Sequence, residues 1–314
     1  MDKPQFAFFE GRIVPIDQAK ISIMTHAFNY GTAAFAGVRA YWNADEKQLF
    51  IFRPIDHFTR LLQSASLLRM NLPYTPESLT EILGELLRRE EYAQDVYVRP
   101  LVYKSTLGIG VRLHDLDDDF TMFAQPQGMY LGKAEGVKAC VSSWRRVDDN
   151  AIPARGKLAG AYVNSALIKT DAQLNGFDEA IVLSQDGHVA EGSAENFFMV
   201  RNGVAITPPI NANILEGITR RSVITLLTEQ LGVTVMERDI DRSELYLADE
   251  AFFCGTGVQI AGISEIDHRP IGKQKTGSLT QRLIAMYDDV VRGKVAQYRA
   301  WNQPVYVPEP APGD

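Results

Sequence analysis

The chain has 314 residues, of which 46% are hydrophobic and 23% charged, a composition typical of soluble globular proteins with sizeable cores. A formal net charge of −7 at pH 7, without any block of Lys and Arg, argues against a nucleic-acid partner. The length is about twice that of an average domain of roughly 100–150 residues, so we expect two domains with a ligand cleft between them.

Cysteine usage and hydropathy predict the compartment. Two cysteines, Cys140 and Cys254, are too few for a disulfide framework or a zinc site. No stretch approaches the ~18 apolar residues of a membrane helix, and the N-terminus lacks the basic and apolar regions of a signal peptide. The sequence therefore predicts a cytoplasmic protein with no membrane partner and no metal.

The first elements along the chain are a strand, a loop and two helices. Residues 6–9 have a strand pattern, and the glycine-flanked segment 29–37 is expected to be a loop that reaches the surface. Pro54 suits the first turn of a helix whose apolar residues recur at helical spacing. Thr75 is expected to cap a second helix that begins at Pro76.

Residues 96–103 alternate in the way of a strand. The valines of this segment share one face, so Tyr97, Arg99 and Tyr103 share the other. An arginine between two tyrosines favours a polar-edged pocket wall over a solvated surface.

In the second half, the patterns predict two helices around a β-meander. A helix over residues 162–175 is expected to end at Gly176, and a later helix extends from Thr219 to Gly232. The meander between them has its turns at residues 186–187 and 202–203, both of which end in glycine.

These patterns combine into a mixed α/β fold of two domains. We expect a small N-terminal α/β domain over residues 1–128 and an interdomain loop over residues 129–136. Residues 137–303 are then the large domain that binds a ligand, and residues 304–314 are a frayed, proline-rich tail.

Two glycine-containing segments are candidate anion sites. Residues 217–219 (Gly-Ile-Thr) lead into a helix whose free amides and dipole attract negative charge. Residues 255–257 (Gly-Thr-Gly) follow a strand and allow close approach of a ligand to the backbone. Each segment is also compatible with a plain helix cap or turn, and neither matches a dinucleotide or P-loop fingerprint.

Lys157 and Glu191 are the candidate reactive groups. Lys157 lies among small and apolar residues, where desolvation would lower its pKa toward the reactive neutral amine, although most lysines are solvated surface residues. Tyr162, five residues on, could approach the same ligand. Glu191 follows a predicted strand and is either an exposed turn acid or the carboxylate partner of a pyridine nitrogen.

From about residue 7 to residue 301, the sequence resembles the branched-chain aminotransferases, the fold-type IV branch of pyridoxal-phosphate enzymes. The order and spacing of the family's motifs are kept throughout. The matching segments are His26–Thr32, Gly37–Tyr41, His57–Leu61, Tyr97–Leu101, Ile109–Val111, Lys157, Tyr162–Ser165, Phe177–Ile181, Glu191–Gly192, Leu215–Arg220, Leu245–Glu250 and Gly255–Thr256.

The resemblance implies a cofactor, pyridoxal 5'-phosphate, bound to Lys157 as a Schiff base. Lys157 would also move the proton between the substrate α-carbon and the cofactor. Glu191 would pair with the pyridine nitrogen and Tyr162 with the ring hydroxyl. The residues implied for the phosphate are Arg60, Gly217, Ile218, Thr219 and Thr256.

The resemblance also implies transamination between L-branched-chain amino acids and 2-oxoglutarate. The α-carboxylate would lie near Tyr97 and the amides of Thr256 and Gly257, while Arg99 receives the distal carboxylate of glutamate. The remaining implied substrate residues are Phe35, Arg39 and Tyr162, with Tyr30 and Val111 of the partner subunit. A homodimer or higher homo-oligomer with a shared site is therefore expected.

Three positions depart from the family pattern: Ala36 replaces a glutamate, Gln127 an aromatic residue and Ala161 an asparagine. We expect these changes to spare the cofactor residues and to allow some turnover of (R)-amines or bulky keto acids. The alternatives are a D-amino-acid or (R)-amine transaminase, an aminodeoxychorismate-lyase-like enzyme and a non-catalytic cofactor-binding protein. Residues 97–100 and 109–111 favour the L-specific branched-chain class.

Overall fold

The chain divides into two compact units. A computed structural model describes residues 4–128, 135–273 and 275–306. The first unit comprises Met1–Gly128 and Asp288–Asp314, and the second comprises Met129–Tyr287.

This division differs from the expected one at its C-terminal end, because residues 288–303 group with the first unit. Of the expected interdomain loop, residues 129–134 lie outside the described residues. The frayed tail was expected from Pro304, but Pro304 pairs with Phe50 in a strand and Val305 is only 2% exposed. The prediction is therefore wrong for residues 304–306, and residues 307–314 lie outside the described part.

Both units contain runs of strands interrupted by helices. The elements are β1 (Phe6–Phe9), β2 (Arg12–Pro15), α1 (His26–Tyr30), β3 (Ala33–Phe35), β4 (Val38–Asn43), β5 (Gln48–Phe52), α2 (Pro54–Leu67), α3 (Pro76–Glu90), β6 (Val96–Lys104), β7 (Asp118–Pro126), β8 (Val137–Arg145), α4 (Tyr162–Leu174), β9 (Glu179–Leu183), β10 (Val189–Gly192), β11 (Asn196–Arg201), β12 (Val204–Thr207), α5 (Ile218–Glu229), β13 (Val235–Glu237), β14 (Glu250–Gly255), β15 (Gln259–Ile266), β16 (Arg269–Pro270), α6 (Ser278–Val291) and β17 (Asn302–Pro304).

The first unit is built on an antiparallel sheet with strand order β17-β5-β4-β6-β7-β1-β2, and β3 pairs with β6. Helices α2 and α3 begin at Pro54 and Pro76 as predicted. Thr75 and Ser78 satisfy the first turn of α3 by exchanging side-chain and backbone hydrogen bonds, a capping box. Strand β6 has its valines fully buried, as the alternation predicted.

The surface loop predicted for residues 29–37 is wrong over most of its length. Tyr30 ends α1, and Ala33–Phe35 is a strand paired with residues 101–103 of β6. Ala34 is 0% and Phe35 6% exposed. Glycines at both ends gave the segment a loop-like composition, but its small side chains fit beneath α2, which packs on β3.

The second unit has a mixed sheet with strand order β10-β9-β8-β15-β14-β11-β12-β13. Strand β8 is parallel to both of its neighbours. The glycine turns at residues 186–187 and 202–203 form the predicted hairpins, β9–β10 and β11–β12. The prediction of one continuous meander is wrong, because three other strands separate the hairpins; turn residues determine only local pairing.

Helices α4 and α5 of this unit agree with their predictions to within a few residues. Helix α4 packs on β8 and β9, and the chain leaves it through Gly176 at a positive φ of 82°. Helix α5 packs on β14. Within the described residues, no helix has the length and apolarity needed to cross a membrane.

Candidate active site

Lys157 and Tyr162 are joined by a short hydrogen bond. The Lys157 Nζ lies 2.5 Å from the Tyr162 hydroxyl and 5.1 Å from the centre of its ring. Tyr162 is the first residue of α4, and a turn of 3₁₀ helix over Ala159–Ala161 connects it to the lysine segment. The start of α4 therefore holds the Lys157 amine and the Tyr162 phenol next to each other.

Glu191 lies in β10 with its side chain only 4% exposed, so the interpretation as an exposed turn acid is wrong. Its Oε1 forms an ion pair of 2.9 Å with Arg146. Its Oε2 accepts hydrogen bonds from the Asn196 side chain at 3.0 Å and the Leu215 amide at 3.2 Å. Burial raises the pKa of Glu191, whereas Arg146, the Leu215 amide and the charge of Lys157 oppose that rise.

The first anion candidate lies at the N-terminus of α5. Gly217 is the N-cap residue, and no side chain caps this end of the helix. The first amides of an α-helix have no acceptor within the helix, so this terminus presents donors and a positive dipole end. Gly217 also lies so close to the Asn196 amide oxygen that a methyl group there would overlap it.

The second anion candidate is the turn between β14 and β15, where Gly255 pairs with Gln259. A side chain on Gly257 would meet no atom within 4 Å. Gly255 lies against Glu195, the residue before Asn196. The first segment therefore lies against Asn196 and the second against its neighbour Glu195. Asn196 in turn donates a hydrogen bond to Glu191.

In the first unit, Tyr97, Arg99 and Phe35 form a separate cluster. The Arg99 guanidinium donates to the Tyr97 hydroxyl at 3.1 Å and lies 4.6 Å from the centre of the Phe35 ring. Gly37 faces Tyr97 so closely that any side chain at position 37 would overlap the phenol. This arrangement fits the predicted polar-edged wall.

The side chain of Arg39 contacts the backbone. It is 1% exposed, and its guanidinium donates to the carbonyl oxygens of Gln127 and Gly128. These contacts favour a role in holding the backbone at Gln127. Arg60 is partly buried on α2, where its carbonyl oxygen accepts from Ser64.

Tyr30 lies beside the loop over residues 106–112, and Val111 is part of that loop. The Tyr30 hydroxyl accepts from the Gly110 amide at 3.1 Å, and its ring packs on His26. Val111 is 89% exposed. The loop and His26 line a surface depression.

Comparison with known proteins gives the family. Residues 35–266 match the model of amino-transferase class IV. A probable branched-chain-amino-acid aminotransferase of Aquifex aeolicus is 52% identical over 301 residues, covering 96% of this chain and 97% of the relative. The branched-chain-amino-acid aminotransferase of Escherichia coli K12 is 34% identical, with coverages of 95% and 97%. The chain belongs to the class IV aminotransferases.

The fold of this class IV aminotransferase is also that of solved branched-chain aminotransferases. The enzyme of Thermoproteus uzoniensis, crystallised with norvaline, has a TM-score of 0.92 and 42% identity, covering 97% of this chain and 100% of its own. The enzyme of Thermobaculum terrenum in its PLP-form has a TM-score of 0.92 and 37% identity, with coverages of 98% and 100%. The fold-type IV architecture expected from the sequence is confirmed.

Sequence reasoning missed two residues around Glu191 of the aminotransferase, Arg146 and Asn196. Asn196 follows Glu191 by five positions in a segment that already attracted attention, so its spacing gave a weak signal. Arg146 gave none. It reaches Glu191 because β8, which ends at Arg145, lies beside β9, and β9 pairs with the strand of Glu191.

Proposed function

We propose that this chain is a pyridoxal-phosphate-dependent aminotransferase that exchanges amino groups between L-branched-chain amino acids and 2-oxoglutarate. The observation that carries the proposal is the grouping of Lys157, Tyr162 and Glu191 in one unit of a class IV aminotransferase. The similar proteins described above are branched-chain aminotransferases, which supports this substrate class over the D-amino-acid and lyase alternatives.

The residues of the second unit match the functional groups of pyridoxal phosphate one by one. An aldehyde needs an amine, which Lys157 supplies, and a ring hydroxyl needs a donor or acceptor such as Tyr162. A protonated ring nitrogen needs a buried carboxylate such as Glu191. A phosphate needs backbone donors, for which the N-terminus of α5 is suited.

When bound, the cofactor supplies an electron sink that makes the substrate α-proton acidic. Lys157 holds the cofactor and carries that proton as acid and base, with the Tyr162 hydroxyl 2.5 Å from its amine. Glu191 holds a proton on the ring nitrogen, and the positive charge of Arg146 helps to keep Glu191 ionised despite its burial. The backbone amides of Thr256 and Gly257 supply hydrogen-bond donors for the negatively charged α-carboxylate of the substrate.

The cluster of the first unit supplies the groups for the substrate. The Tyr97 hydroxyl binds the α-carboxylate, and the Arg99 guanidinium binds the distal carboxylate of glutamate. Phe35, beside Arg99, provides an apolar surface for a branched side chain. The same cluster thereby binds both the charged side chain of glutamate and the apolar side chain of a branched-chain amino acid.

The test begins with reduction of the protein by borohydride after addition of pyridoxal phosphate. A peptide containing Lys157 should gain the mass of the reduced cofactor. The Lys157→Ala variant should not, whereas a change at the exposed Lys138 should have no effect. Separate addition of L-leucine, D-alanine and (R)-1-phenylethylamine should bleach the yellow cofactor fastest with L-leucine. Faster bleaching with D-alanine or the amine would contradict the substrate assignment.

We also propose that the protein is a homodimer and that the loop over residues 106–112 lies at its interface. Ile109 and Val111 are 92% and 89% exposed, and Ile23 and Phe28, just before and within α1, are 80% and 66% exposed. Exposed apolar groups of this number mark an interaction surface. The partner on this surface is a second copy of the chain, because Tyr30 and Val111 of one subunit would then complete the substrate site of the other.

Light scattering on the purified protein tests the dimer. The native chain should have twice its 35.0 kDa mass, and Ile109→Asp should shift it toward the monomer. Leu174→Asp, at an equally apolar site that is 82% exposed in the other unit, is the matched control and should remain dimeric. A monomeric native protein would contradict the proposal.

We also propose that the protein is cytoplasmic. Both cysteines are free thiols, and burial raises the pKa of Cys140 to about 11, so it is kept in the unreactive thiol form. Fractionation of the cells that produce it should recover the protein with cytoplasmic markers.

A further inference from the structure

The carboxylate of Glu191 has most of its acceptor capacity already occupied. A carboxylate offers about four lone-pair positions on its two oxygens. The Asn196 amide and the Leu215 N–H take two of them on Oε2, and the Arg146 guanidinium takes one on Oε1. One acceptor position on Oε1 is left for a ligand, and its direction is determined by the other three bonds.

Arg146 is itself held in place on three sides. Its backbone amide donates to Leu183 of β9, its Nε donates to the Asn213 carbonyl at 3.2 Å, and its Nη2 meets Glu191. Its side chain is 12% exposed. A buried carboxylate that loses such a partner is protonated more easily, because burial then meets less opposition. Arg146 thus controls the charge of Glu191.

Asn196 joins Glu191 to the start of α5. Its side-chain Nδ2 is shared between Glu191 Oε2 at 3.0 Å and the Leu215 carbonyl at 2.9 Å. Its Oδ1 lies against Gly217, the N-cap of that helix. One amide therefore contacts both the carboxylate and the segment that leads to the helix amides. Asn196 thus sets the direction and spacing of Glu191, and its neutral N–H stabilises the carboxylate less than the charged guanidinium of Arg146 does.

We propose that Arg146 and Asn196 are positioning residues for cofactor binding: Arg146 keeps Glu191 ionised, and Asn196 aligns Glu191 with the N-terminus of α5. The inference rests on the proposed function, since it concerns the carboxylate that would receive the ring nitrogen. It adds two residues to that function and assigns each a different effect.

The test compares Arg146→Met and Arg146→Lys with Arg145→Met. Arg145 is the adjacent, exposed residue and is the matched control. In the cofactor-free protein, infrared spectra over a pH series, with Glu191→Gln as the reference, report protonation of Glu191. Arg146→Met should move that titration to higher pH, Arg146→Lys should move it less, and Arg145→Met should leave it unchanged.

Fluorescence titration of the cofactor-free variants with pyridoxal phosphate gives the second readout. Loss of a hydrogen bond to a charged group corresponds to about a tenfold to a hundredfold weaker Kd, the range expected for Arg146→Met. Asn196→Ala should weaken the Kd about tenfold. Because Asn196 donates to the Glu191 carboxylate, this change should also move the Glu191 titration to higher pH, but by less than Arg146→Met does. In the double variant with Glu191→Gln, the loss caused by Arg146→Met should largely disappear, because both changes remove the same interaction.

The outcomes separate this inference from the proposed function. If the native protein gains no cofactor at Lys157 on borohydride reduction, the proposed function fails. If it does, but Arg146→Met matches Arg145→Met in both the infrared titration and the Kd, the positioning role is refuted. Equal losses from Arg146→Met in the presence and absence of Glu191→Gln would also refute it, since a merely structural role acts independently of Glu191.

Discussion

Gly217 offers a sharp test of the geometry around Glu191. Its φ of −69° and ψ of 136° suit alanine, so Gly217→Ala introduces no backbone strain. The added methyl group would, however, overlap the amide oxygen of Asn196. Because the overlap is with the end of a side chain, we expect that side chain to turn away and lose its contacts.

The lost contacts set the size of the effect. Asn196 donates to the Glu191 carboxylate and to the Leu215 carbonyl. A hydrogen bond to a charged group is worth about 1.5–3 kcal/mol and a neutral one about 0.5–1.5 kcal/mol. Alanine recovers about 0.4–1 kcal/mol by restricting the unfolded chain. The free energy of unfolding should therefore fall by about 1–4 kcal/mol.

Urea unfolding of the cofactor-free protein measures this loss, with Gly255→Ala as the matched control. A methyl group on Gly255 would meet its nearest atoms at 3.7–3.8 Å, an ordinary contact, so the control should stay within about 0.5 kcal/mol of the native protein. If Gly217→Ala is as stable as Gly255→Ala, the packing of Asn196 on Gly217 does not constrain the site and the reasoning is refuted.

Two further predictions concern pH and substrate affinity. Burial, with the adjacent charge of Glu179, raises the pKa of Glu195 from 4.5 to about 8. Protonation of Glu195 therefore stabilises the folded state fully below pH 4.5, and this contribution is lost as the pH rises through 8. Glu195→Gln should flatten the fall in unfolding free energy measured between these values, and an unchanged slope would contradict the assignment. Gly37→Ala should displace the Tyr97 hydroxyl from Arg99 and raise the KM for L-leucine about tenfold. The control Gly84→Ala, in α3, should leave the KM unchanged. Equal KM values for the two variants would place Tyr97 outside the substrate site.

The elements predicted best from the sequence are those determined by neighbours along the chain. The capping residue Thr75 and the glycine turns at residues 186–187 and 202–203 act over a few positions, so their local pattern is sufficient. The strand at residues 33–35 and the order of the second sheet depend on partners far away in sequence. No periodicity in a short segment encodes those partners.

The same difference separates the site residues that were found from those that were missed. Lys157 and Tyr162 are five positions apart, and a short turn is enough to bring them together. Arg146 lies far from Glu191 in sequence and meets it only because the sheet aligns their strands. Arg39 matched a motif, but its motif carried no information that its guanidinium binds the backbone at Gln127.

Two buried glutamates, Glu191 in β10 and Glu195 just after it, illustrate how position decides chemistry. Glu191 and Glu195 are 3% and 6% exposed, and burial raises the pKa of both. Glu191 faces the guanidinium of Arg146, which favours its ionised form, whereas Glu195 faces Glu179, which favours its protonated form. Two residues of the same type thus have neighbours of opposite charge within four positions. A carboxylate that accepts a hydrogen bond from a protonated ring nitrogen is favoured where a cation lies beside it. In this chain the guanidinium of Arg146, directly after β8, gives that neighbour to Glu191 and not to Glu195.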